Sequence, residues 1–81
     1  MTIRILGSGC ENCRKLYTMA EKAAAELGLA VTLEKVEDFK AIMKYGVMRT
    51  PALVIGEKVM IMGRVPAYDE VLKTLRDASG N

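Results

Sequence analysis

Residues 7–13 read GSGCENC, and they hold both cysteines of the chain, Cys10 and Cys13. Three readings are open for such a pair: a redox couple, half of a metal site, or two small side chains packed in a helix. The flanking residues decide where it sits. Before it, Thr2 to Leu6 alternate Ile3 and Ile5 around Arg4, the period of a short strand that stops at Gly7. After it the period changes. Cys13, Leu16, Ala20, Ala23 and Leu27 follow at steps of three and four and stop at Gly28, which predicts a helix of about four turns. Ser8 and Glu11 have the spacing of a capping box, so the cysteines fall at the start of that helix.

Working outward, residues 30–36 (AVTLEKV) are rich in β-branched side chains and predict a second strand. Asp38 is placed to cap a short helix that carries Phe39, Ile42 and Met43 on one face and ends at Gly46. The run ALVI, residues 52–55, has no polar alternation, as in a strand covered on both faces. Gly56-Glu57 then supplies a hairpin turn into KVMIM, residues 58–62, making the two strands antiparallel neighbours. Pro66 suits the first position of a final helix whose buried stripe is Tyr68, Val71, Leu72 and Leu75, and the tail SGN is expected to fray. The order is βαβαββα, an α/β chain read as one domain over residues 1–81 with its core between about 2 and 77.

Composition excludes several classes. A chain of 81 residues builds one small core. Half of its residues are apolar and its net charge is only +2, which argues against disorder and against nucleic acid as a partner. No stretch approaches the roughly 20 apolar residues of a membrane span, and MTIRIL is broken by Arg4, so neither a membrane nor secretion is expected. The expected compartment is the cytoplasm. There a permanent disulfide is not expected, and two cysteines point to catalysis or metal binding. The chain has no His, the commonest partner for zinc or for a general base.

The element order, the Cys10-Glu11-Asn12-Cys13 pair after the first strand, and Thr50-Pro51 before the third together resemble the minimal thioredoxin/glutaredoxin fold. The phrases LGSGCENC, YGVMRTPALVI and GRVP are similar to those of the small redox-active disulfide proteins of the thioredoxin superfamily, and the resemblance runs from about Thr2 to Leu75. It implies a four-stranded mixed sheet with three helices, and a thiol–disulfide oxidoreductase acting on protein disulfides. It further implies a cis Thr50-Pro51 bond facing the cysteines. The site departs from the larger thioredoxins in lacking Trp, in carrying Glu11-Asn12 between its cysteines, and in having Arg4 as the one charged residue of its first strand. It departs from glutaredoxins at Gly63-Arg64-Val65-Pro66, where only Gly63 matches the glutathione-binding pattern. A thioredoxin-reductase-like protein is therefore the expected electron donor, with no cofactor beyond the dithiol and a monomer as the working form.

The chemistry explains the placement in its own right. A thiolate attacks a disulfide, so an exchange catalyst needs one activated cysteine and a second within reach to resolve the mixed disulfide. Free N–H groups and the positive end of the helix dipole favour a thiolate at Cys10, the expected nucleophile. Cys13, nearly one turn on, lies deeper and is the expected resolving thiol. Glu11 opposes thiolate formation, and Arg14 or Arg49 can offset it. Loss of the N–H at Pro51 leaves Thr50 to pair with an extended substrate peptide, and Met48 and Gly63 are the further candidate substrate contacts. Met43, Met60 and Met62 read as packing, and Tyr17 and Tyr45 as the edge of the core.

Two other classes stay open on the cysteines alone. Small metallochaperones also place a CxxC loop after a first strand and use both thiolates for Cu(I) or Zn, but their order is βαββαβ. A thioredoxin-like adaptor would keep the fold and dispense with the thiols.

Overall fold

The computed structural model describes residues 1–7 and 11–80. Ser8, Gly9, Cys10 and Asn81 lie outside the described residues, and the cap expected at Ser8 falls there. The remaining chain forms β1 (Thr2–Leu6), α1 (Glu11–Glu26), β2 (Thr32–Val36), α2 (Phe39–Lys44), β3 (Ala52–Ile55), β4 (Lys58–Met62) and α3 (Tyr68–Ala78), the βαβαββα order expected. The order of the described elements thus differs from the βαββαβ order of a metallochaperone. The sheet runs β2-β1-β3-β4, with β1 parallel to β2, antiparallel to β3, and β3 antiparallel to β4. It is a four-stranded mixed sheet with three helices, a minimal thioredoxin fold. Among the described residues no helix is long and apolar enough to cross a membrane.

Because β1 and β3 are the inner strands, both of their faces are covered, which is why ALVI has no polar position. Ile3, Ile5 and Leu53 point to one face, where Leu16, Ala20 and Ala23 of α1 and Val71 and Leu75 of α3 close over them. Leu6, Ala52 and Val54 point to the other, under Ile42 of α2 and Val47. Each fully buried Leu or Ile stabilises the fold by about 1.5–3 kcal/mol, so the first of these layers carries most of the stability. α1 ends as its sequence predicts: Gly28, at φ +68, donates to Ala25 O (3.1 Å) and Leu29 to Ala24 O (2.9 Å), the Schellman pairing that a left-handed glycine permits.

Three sequence expectations need correction. Phe39 and Met43 are 72% and 50% exposed, so Ile42 alone carries the buried face of α2. The six residues of α2 make fewer than two turns, room for one inward side chain, and Tyr45 and Val47 complete the cover from the loop beyond. Met62, read as packing, is 48% exposed for a related reason: at the edge of the sheet it lies beyond the reach of so short a helix. Pro66 is not the first residue of α3. It is buried ahead of the helix, and the extended Ala67 (φ −71°, ψ 154°) is the N-cap.

The Asp38 cap does form, its carboxylate accepting from Ala41 N at 3.2 Å. A feature without sequence signal is the register shift between Leu53 and Val54, which pair with Ile61 and Val59 and leave Met60 as the extra residue of β4. The bulge turns Met60 with Ile61 toward α1 and α3.

Arg4 shares the α2 face with Leu6 but points away from the cysteine end of the sheet. Its Nε lies 2.9 Å from Glu34 Oε1, its register partner on β2, and its Nη1 donates to Gly56 O at 2.7 Å. The guanidinium thus ties β2 and the β3–β4 turn across β1, and takes no part in the chemistry at the far end. Leu53→Ala, which empties the centre of the larger core layer, is expected to lower unfolding free energy by about 2–5 kcal/mol in urea titration, with the m-value unchanged.

Candidate functional site

Cys13 lies in the first turn of α1 and is only 7% exposed. Beneath it is Gly7, whose N–H donates to Val36 O at 2.9 Å and so extends the β1–β2 ladder by one rung. A Cβ on Gly7 would overlap Cys13 Sγ outright, and would stand 3.3 Å from Cys13 Cβ and 3.5 Å from Thr50 Cβ. The end of β1, the start of α1 and the loop before β3 therefore meet at one point, where only a hydrogen fits. Cys10, the expected nucleophile, lies outside the described residues.

The loop from Met48 to Pro51 forms the roof of this point. The Thr50–Pro51 peptide bond is cis, Pro51 is buried and Thr50 is exposed. Pro51 O accepts from Gly63 N at 2.9 Å. Gly63 adopts φ +77°, and a Cβ there would come within 3.0 Å of Arg49 Cβ and 3.3 Å of its Cδ. Gly63 thus backs the loop from behind, with its N–H used on Pro51. Its own segment is pinned by Arg64, whose two terminal nitrogens pair with both carboxylate oxygens of Glu70 in α3, Nη1 to Oε1 at 2.8 Å. That hydrogen bond holds the Glu70 carboxyl below its usual range and raises the Arg64 guanidinium further. The pair therefore persists above the ordinary carboxylate range and is lost as pH falls through the depressed Glu70 value. Met48, at the outer end of the loop, is 82% exposed, the most exposed of the large apolar side chains at the site.

The two arginines that can offset Glu11 part company. Arg49 lays its aliphatic stem along Gly63. Arg14 lines a pocket of about 260 Å³ together with Cys13, Ile5, Gly7, Lys35 and Glu37. Lys35 stands beside Ile5 in the parallel β1–β2 register, and its ammonium lies 4.9 Å from the centre of the Tyr17 ring, a cation–π contact that bridges β2 to α1. Tyr17 packs on the edge of the core as expected. Lys35 and Glu37 were not legible as site residues, since they are more than twenty positions from the cysteines and read as the polar side of a strand. Only the register of β2 on β1 brings them to Cys13. Among the described residues no group of three or more His, Cys, Asp or Glu side chains is placed to hold a metal ion.

Comparison with known proteins agrees with this geometry. A family model described as "Thioredoxin domain" matches residues 1–76. A protein named thioredoxin from Methanothermobacter thermautotrophicus is 37% identical over 75 residues, covering 93% of this chain and 97% of the relative. Another of that name from Methanocaldococcus jannaschii is 32% identical over 76 residues, covering 94% of this chain and 87% of the relative.

The contact at Gly7 generates a specific expectation. Gly7→Ala must displace Cys13 or the strand end, at a cost of about 1–3 kcal/mol in urea unfolding. In a Cys13→Ala background the same change meets no sulfur and costs less, so a double-mutant cycle should return a coupling of about 1 kcal/mol or more between the two positions.

Proposed function

This chain belongs to the thioredoxin family, and on that premise we propose that it reduces or exchanges protein disulfides through the dithiol of Cys10 and Cys13. It is a thioredoxin-like protein of a thiol–disulfide oxidoreductase family. In the proposed cycle the Cys10 thiolate attacks one sulfur of a substrate disulfide, and the other substrate sulfur leaves as a thiolate and takes up a proton. Cys13 then attacks Cys10 Sγ, which releases the remaining substrate thiolate and closes the Cys10–Cys13 disulfide. Two electrons have passed to the substrate. A protein reductase of the thioredoxin-reductase kind returns the dithiol, with no further cofactor needed.

The observation that carries this reading is the meeting of Cys13, Gly7 and Thr50 at one point. A resolving thiol should be shielded from solvent oxidants yet lie near the place where a substrate chain docks, and Cys13 is buried against Gly7 at the point that the exposed Thr50 also approaches. Thr50 presents backbone to an extended peptide and Met48 an adaptable apolar contact beside it. The cytoplasm and a monomeric state complete the reading, since a dithiol of this kind works where a reductase keeps it reduced.

Thiol counting and trapping test it. Oxidised protein should lose both free thiols per chain without forming dimers. Cys10→Ser should abolish attack on a disulfide substrate, while Cys13→Ser should attack and then accumulate the mixed disulfide. Two free thiols after oxidation, or equal trapping by both variants, would remove the proposed roles, and full retention of function without either thiol would leave an adaptor.

A further inference from the structure

Resting on the dithiol reading above, we propose that Arg49 sets substrate specificity by favouring disulfides whose cysteines are flanked by acidic side chains. The inference starts from where the loop before β3 is anchored. Leu6, the last residue of β1, pairs with Val36 of β2 and with Ala52 of β3, and Ala52 pairs with Met62 on the edge strand β4. These four residues form one rung across the sheet, and Gly7, against which Cys13 packs, follows directly on it. Met48 to Pro51 lead into the rung at Ala52, and Gly63 leaves it beyond Met62.

Within this loop the side chains part. Thr50 Cβ lies 3.5 Å from the point where a Gly7 Cβ would stand, on the side of Cys13. Arg49 turns instead to Gly63, its Cβ, Cδ and Cγ lying 3.0, 3.3 and 3.7 Å from the corresponding point on that glycine. With no side chain on residue 63, the arginine stem fills the place and carries the guanidinium along the β4 side of the loop. Arg49 is exposed, and among the described residues its side chain forms no ion pair or hydrogen bond, whereas Arg4 is paired with Glu34 and Arg64 with Glu70.

Charge differs on the two sides of the thiol. Toward α1 and β2 it is mixed: Glu11 opens the helix, and Arg14 and Lys35 share their pocket with Glu37. Toward β3 and β4 Arg49 goes unmatched, since residues 39–56 contain neither Asp nor Glu and the Glu70 carboxylate is engaged by Arg64. The exposed Met48 precedes it, and the exposed Met62 precedes the glycine it packs on, so the cation sits among apolar contacts. A peptide that pairs with the backbone of Thr50 is extended, and its successive side chains point to opposite faces. Its cysteine faces the thiols, as Thr50 does, and a residue next to that cysteine faces the side on which Arg49 stands. A carboxylate there is attracted and an ammonium repelled. The chemistry of exchange is unchanged, and Arg49 acts on which chains dock.

An arginine that selects substrates and one that merely favours the Cys10 thiolate predict different results. Blocked pentapeptides, each with a central cysteine capped by thionitrobenzoate and flanked on both sides by Asp, Ser or Lys, separate the two. Reduced protein releases thionitrobenzoate from each, and the ratio of the Asp-peptide rate to the Lys-peptide rate is independent of how much protein is folded. In Arg49→Met, which keeps an aliphatic stem on Gly63, that ratio should fall at least about 3-fold at low salt. It should fall further in Arg49→Glu and be retained in Arg49→Lys, and added salt should narrow the difference between unaltered protein and Arg49→Met. A ratio unchanged in Arg49→Met would overturn the inference while leaving the dithiol intact. So would an equal slowing of all three peptides, which would place the arginine at the thiolate and not at the substrate. Unaltered protein that releases thionitrobenzoate from none of the peptides would instead remove the dithiol reading, and this inference with it.

Discussion

The rest of the site depends on one steric constraint, the absence of a side chain at Gly7. That position is where β1 ends, and its N–H is still engaged in the β1–β2 ladder, so the backbone there cannot move aside. The Cys13 sulfur occupies the space where a Cβ would stand, and Thr50 Cβ lies 3.5 Å from that point, in ordinary van der Waals range. The first helix can start close enough to the sheet to bury Cys13 only because nothing projects from residue 7, and the loop before β3 reaches the same point. A small residue at the end of a strand would be a local turn signal in most chains; in this one it sets the separation between the thiol and its roof.

From that contact the support runs outward through elements remote in sequence. Pro51 is held by Gly63, Gly63 packs on the stem of Arg49, and the neighbouring Arg64 is tied to Glu70 at the start of α3. α3 in turn shares the larger core layer with α1 through Val71 and Leu75. The loop over Cys13 is therefore anchored from both sides, by α1 below it and by α3 behind it. The exposed ion pair contributes orientation more than energy, since solvent and salt screen exposed pairs. The work of stability is done by the apolar layer, and the polar contacts fix where the loop lies on it.

The two sides of the sheet serve different ends. The α1/α3 side carries the deeper core and, at its upper edge, the Cys13 pocket with Arg14, Lys35 and Glu37. The α2 side is thinner, and six helical residues cover it with a single inward side chain. Arg4 finishes the open end of that side by bridging Glu34 and Gly56. Charge that would be costly in the centre of a sheet is tolerated there because the guanidinium keeps solvent contact and two hydrogen-bond partners.

By itself the sequence determined the order of elements, the strands at Thr2–Leu6 and Ala52–Ile55, the helix that begins at the cysteines and the Asp38 cap, because periodicity, caps and glycine stops are local signals. It also marked Cys13 and Thr50-Pro51 as parts of one site, through spacing and a family resemblance and not through any contact it could show. Tertiary structure decided the rest. Phe39 and Met43 look inward by period, yet a helix of fewer than two turns has too little sheet beneath it to bury them. Pro66 looks like a first helical residue, but it is used as packing and the helix waits for Tyr68. The bulge at Met60 leaves no trace in an apolar strand whose residues suit either face. Above all, Lys35 and Glu37 reach the cysteine pocket because β2 pairs in parallel with β1 at a register that sets Lys35 beside Ile5. Register is a property of two strands packed together, and no single stretch of sequence carries it.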